Sequence, residues 1–103
     1  MRLGRRPFGD LVRRQLDLFA ADEAALLAEA VTAERAWQQA GRDEAEEAYG
    51  DWQLVADAIA ERLLDLRETY ASTLTDDVAD AYRVSFEREA RKRFPRFVAL
   101  LGE

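Results

Sequence analysis

Apolar side chains recur every three or four residues over most of this chain. The longest run spans Asp43 to Leu74. Ala45, Ala48, Trp52, Val55, Ile59, Leu63, Leu66 and Tyr70 form one stripe, the spacing of one face of an α-helix. Asp43, Glu47, Asp57, Glu61, Asp65 and Glu68 fall on the opposite face. A second run passes through Phe8, Val12, Leu16, Phe19, Leu26, Ala30, Ala33, Trp37 and Ala40, interrupted only at Glu23. Neither glycine nor proline stands near Glu23, and alanine and glutamate are strong helix formers. The pattern predicts one helix from about Pro7 to Ala40, with a break near Ala21 as the alternative. Pro7 suits a first helical turn, where its missing N–H costs nothing.

Gly41 is placed to close this helix in the left-handed conformation, and Asp43 to cap the next, with Glu46 completing an acidic capping box. A turn at Gly41-Arg42 makes an antiparallel hairpin. Residues whose numbers sum to about 83 then face each other, so Trp37 meets Ala45 and Ala48. Ala30 and Ala33 meet Tyr49 and Trp52, large opposite small. The same register sets Phe19 against Leu63 and Leu64, and Leu16 against Leu66. Gly50 inside the long helix costs about 1 kcal/mol relative to alanine, which suggests a close backbone approach or a bound group.

Thr75 is a second N-cap candidate, with Asp76 and Asp77 in the first turn behind it. A third helix follows from Asp76 to about Phe94, with Val78, Ala79, Tyr82, Phe86 and Ala90 on its apolar face. Pro95 ends or kinks it. Arg96 to Leu101 reads as one or two more turns, stopped by Gly102. The expected fold is all-α: a long antiparallel helical hairpin with a third helix packed along it, a three-helix bundle, with a four-helix bundle as the alternative. Residues 1–6 read as a flexible basic arm and 7–103 as a single helical-bundle domain.

Composition narrows the chemistry. The 103 residues include no cysteine and no histidine, which removes disulfides, thiolate and imidazole metal sites, and the nucleophilic triads built on histidine. Alanine supplies much of the apolar share, so the core is thin and self-association is expected. The net charge of −6 is uneven. Arg2, Arg5, Arg6, Arg13 and Arg14 lie at one end, and Arg88, Arg91, Lys92, Arg93 and Arg96 near the other. The middle is acidic, a pattern that favours head-to-tail or antiparallel self-contact. No run approaches the length of a membrane span, and the basic N-terminus lacks the apolar segment of a signal peptide, so a cytoplasmic protein is expected.

Three constellations remain. The acidic face of the long helix offers Glu44, Glu47, Glu61 and Asp65 as oxygen ligands for Mg²⁺. Glu44-Ala45-Glu46-Glu47 resembles the E-x-x-E half-site of the all-helical MazG-type nucleotide pyrophosphohydrolases, which would imply a Mg²⁺-dependent enzyme. The E-x-x-D half does not follow: Asp77-Val78-Ala79-Asp80 begins with aspartate, and Glu61 and Asp65 are four apart. The basic ends could contact the phosphates of nucleic acid, against the repulsion of an acidic molecule. The tail places Phe94, Phe97, Val98 and Leu101 together, to close the bundle over Val55 and Trp52 or to dock on a partner. Arg91 adds charge beside it. Glu89 and Arg93 stand at i, i+4 on the apolar face, where they could pair or hold a polar ligand with Tyr82. Helical-hairpin proteins of the WXG class share this length and acidity, but the W-x-G spacing is absent at Trp37-Gln38-Gln39-Ala40-Gly41.

The resulting expectation is a non-enzymatic interaction or assembly module, more often a homodimer than a monomer. Its partners would be a second copy and another protein. A second apolar set, Leu11, Leu18, Leu27 and Val31, supports that expectation.

Overall fold

The computed structural model describes residues 8–101. The basic arm expected at 1–6, the helix start at Pro7 and the stop at Gly102 fall outside them. Among the described residues the fold is all-α, with no strand: α1 (Gly9–Asp22), α2 (Ala24–Gln39), α3 (Ala45–Ala71), α4 (Asp76–Arg93) and α5 (Pro95–Val98). The molecule measures 57 × 24 × 23 Å. No described helix is long and apolar enough to cross a membrane.

α3 spans about 40 Å at 1.5 Å per residue. All eight residues of its predicted stripe are buried or half-buried, with Ile59 and Leu63 wholly inside. Ala56, Ala60 and Ala71 are buried as well, so the covered face is wider than the stripe. Glu68 departs from the expected solvent face. It is half-buried and turned toward α4, where it meets Arg83.

The single first helix is not formed. It breaks at Glu23, two residues beyond the alternative near Ala21. The break is one residue wide. Glu23 N–H still donates to Phe19 O at 2.8 Å, and Leu27 N–H to Glu23 O at 2.9 Å. Its cause lies elsewhere in the chain. α2 lies along α3, but α1 lies along α4. Tyr82 and Phe86 of α4 are wholly buried. Tyr82 packs against Tyr70 of α3 at 4.8 Å between ring centres, the rings tilted to each other, and meets Phe8 edge-on at 5.5 Å. A straight rod held ~8–10 Å from α3 along its whole length would leave no room for these rings. Phe8, just before α1, has φ 67, a costly backbone for a bulky residue.

The hairpin turn is longer than expected. Ala40 to Glu44 connect the helices, and Ala40 closes α2 in an extended conformation. Gly41 does not take a positive φ, and no side chain caps α3, so the capping box of Asp43 and Glu46 is absent. The longer loop slides the register by about one turn. Trp37 therefore meets Tyr49 (4.7 Å between ring centres) and Trp52 (5.6 Å), and the three aromatics cluster instead of facing alanines. A Cβ added at Gly50 would meet nothing within 4 Å, so neither a close backbone nor an occupied niche explains that glycine.

α4 begins after Thr75, which is extended at its expected N-cap position but makes no side-chain cap bond. α4 ends at Arg93, before Phe94 and Pro95. The tail then folds back as α5 against α3 and α4.

Candidate functional site

The tail residues singled out from the sequence are turned inward. Phe94, Val98 and Leu101 are buried, and Phe97 is half-buried against the same core. Phe94 meets Phe19 of α1 edge-on at 5.6 Å between ring centres. Leu101 lies beside Ala60 and Leu64, further along α3 than the Trp52 end expected for it. Arg96 pins α5 to α2 through Glu34 at 2.6 Å.

Tyr82, Glu89 and Arg93 do not converge on a ligand site, and Glu89 and Arg93 do not pair with each other. The Tyr82 hydroxyl donates to Gln15 Oε1 at 2.8 Å. Burial pushes the phenol up to about 12. Glu89 is buried and takes Arg13 of α1 at 3.3 Å and Lys92 at 3.5 Å. Arg93 pairs with Asp17 of α1 and lies over the Phe94 ring, 5.5 Å from its centre. These polar groups stitch α4 to α1.

A second ion-pair cluster joins α3 to α4. Arg83 grips Glu68 with two hydrogen bonds of 2.9 Å, and Arg67 adds a third of 2.7 Å. The Arg83 hydrogen bonds, with Arg67 behind them, hold the Glu68 carboxyl at about 2. Arg67 also reaches Glu87 at 3.6 Å, and Arg91 lies 3.9 Å from Glu87. Much of the basic C-terminal cluster is thus paired with acids of its own chain.

The acidic residues proposed as Mg²⁺ ligands fall into two pairs, Glu44 with Glu47 and Glu61 with Asp65, that stay apart. Glu47 and Glu61 are about 20 Å distant along one helix. Glu44, Glu47, Glu61 and Asp65 are all exposed. Among the described residues no three acidic side chains lie together in a way that could hold a metal ion.

What the structure leaves open is one side of the α1–α2/α3 layer. α4 and α5 complete the core at the α1 end, and Arg96 of α5 reaches α2 as far as Glu34, whereas α2 and α3 form the main contact of the fold and run on together to the Gly41 turn as a stem. Two grooves are open, one at the α1 end and one on the stem. One, about 490 Å³, runs between α1 and α3 past Leu18, Phe19 and Leu66. The other, about 610 Å³, is walled by Ala25, Ala28, Thr32, Ala36, Ala48 and Val55, with Glu29 and Asp51 as its only charges. Arg62 of α3 pairs with Glu23 at 2.6 Å in the first groove. Around the stem, Leu54 is 73% and Val31 55% exposed. Trp52 Nε1 is buried without a hydrogen-bond partner. Sequence reasoning overlooked this groove. Its signal was the spacing Ala25, Ala28, Thr32, Ala36, a stripe of small residues on the side of α2 away from Trp37.

An all-α bundle with one uncovered hairpin is the class that fold and grooves define. Compared with known proteins, the chain matches no family model, and neither a curated protein nor a solved structure is significantly similar to it.

Proposed function

We propose that this chain is a non-enzymatic helical interaction and assembly module that associates with itself and presents its stem to other helices. The observation that carries the reading is the two-helix stem. The first half of α3 packs chiefly against α2, and Ala30 and Ala56 are the fully buried side chains of that stretch. A third helical surface would cover apolar area that two helices cannot hide from each other. The exposed Leu54 and Val31 support self-association by the same argument.

Sedimentation velocity across the micromolar range tests this. A module of this kind shows oligomers that grow with concentration. A monomer at every concentration, together with a thermal shift specific to Mg²⁺ and a nucleotide, would replace the reading with the hydrolase alternative.

A further inference from the structure

We infer that the α2/α3 groove receives the outer face of α4 from a second copy, giving a head-to-tail contact. The inference rests on the self-association proposed above and names the two surfaces. The groove is apolar and concave, and its two charges, Glu29 and Asp51, are both acidic and pair with no other described residue. The outer face of α4 carries the complement. Val84 is 58% exposed there, followed by Arg88, Arg91 and Lys92 with Glu87 among them, so the C-terminal half of this face is basic, while Asp77 and Asp80 lie on its N-terminal half. Arg88 pairs with no described residue, and Arg91 is held only by the long 3.9 Å contact to Glu87. An apolar side chain flanked by cations thus matches an apolar trough flanked by anions.

Groove against groove is the poorer choice, because it sets Glu29 and Asp51 of one copy against the same acids of the other. Two different patches in contact make a heterologous interface, which builds rings or open chains and not a closed dimer. Salt weakens such a contact by screening its charged rim.

The test is sedimentation velocity on the full chain at low and high salt, with circular dichroism to confirm folding. The wild type is expected to form a ladder of species at low salt that shortens at high salt. Glu29→Arg with Asp51→Arg blocks one surface, and Arg88→Glu with Arg91→Glu the other. Each double variant should associate about tenfold more weakly or not at all. Mixed together they should regain a ladder in which the two variants alternate, since each reversed surface meets the other and the two unchanged surfaces still meet as in the wild type. Glu29→Gln with Asp51→Asn gives a milder version should the reversals unfold. Oligomers that ignore every variant would overturn the assignment of surfaces while leaving self-association standing. Loss in both variants without recovery on mixing would also overturn it. A wild type that stays monomeric would remove the inference and the self-association together.

Discussion

Arg62 Nη1 donates to Glu23 Oε1 at 2.6 Å, so the residue at which the first helix breaks is tied to the middle of α3. The tie steadies the bend but is not its cause. Arg62 is half exposed, where an ion pair is worth about 1 kcal/mol or less. Arg62→Ala should therefore lower stability in urea by less than ~1 kcal/mol and keep the helix content unchanged. A loss of about 3 kcal/mol would place the origin of the bend in this pair and not in α4.

Tyr82 separates packing from hydrogen bonding. Tyr82→Phe removes the bond to Gln15 and keeps the ring, so a cost of about 1 kcal/mol is expected. Tyr82→Ala removes the ring that α1 and α3 share and should cost ~3–5 kcal/mol. Equal losses in the two variants, measured by urea unfolding, would contradict the account of the wedge between α1 and α3.

Glu68 gives a pH dependence with a definite sign. Its carboxyl is lowered from 4.5 to about 2 in the folded chain by Arg83 and Arg67. Above 4.5 both folded and unfolded chains carry the charge, and the pairing contributes fully. As pH falls toward about 2 the unfolded chain binds the proton first, and the contribution drains away. The side chain is two-fifths exposed, so solvent screening holds the effect near or below ~1 kcal/mol. Wild type should exceed Glu68→Gln in urea midpoint near neutral pH, and the two curves should converge in acid.

Gly50→Ala should stabilise the protein. The position is helical and a Cβ there has open space. The gain expected is about 1 kcal/mol, read as a higher melting temperature. A fall would reveal a contact at this face that the isolated chain lacks, such as the neighbour in an assembly.

The spacing of Trp52, Ile59, Leu63 and Tyr70 predicted α3 because one-dimensional periodicity directly reports which face a helix buries. Pro95 was equally plain, since it forbids the continuation of α4 on its own. The bend at Glu23 was only half legible: the apolar run is interrupted there and a break near Ala21 stood as the alternative, but no glycine or proline marks it. The interruption permits a bend without requiring one; what decides it is Tyr82 and Phe86, some sixty residues later in the chain. The same distance hid the fate of Glu89. Its place on an apolar stripe was visible, but its partner Arg13 lies on a helix whose direction depends on that bend. Gly41 misled in the opposite way, because a residue that can adopt the left-handed conformation need not use it. The open groove escaped notice because alanine at helical spacing looks the same whether covered or bare.

The division between the closed α1 end and the bare stem has a consequence for motion. Amide hydrogens near Ile59, Leu63 and Tyr82 should exchange only when the whole molecule unfolds. Those of α2 and of the first turns of α3 should exchange through local opening, needing far less energy. The tip around Trp37 and Tyr49 would then breathe on its own, a hinged pair of helices that stiffens once another surface settles against it.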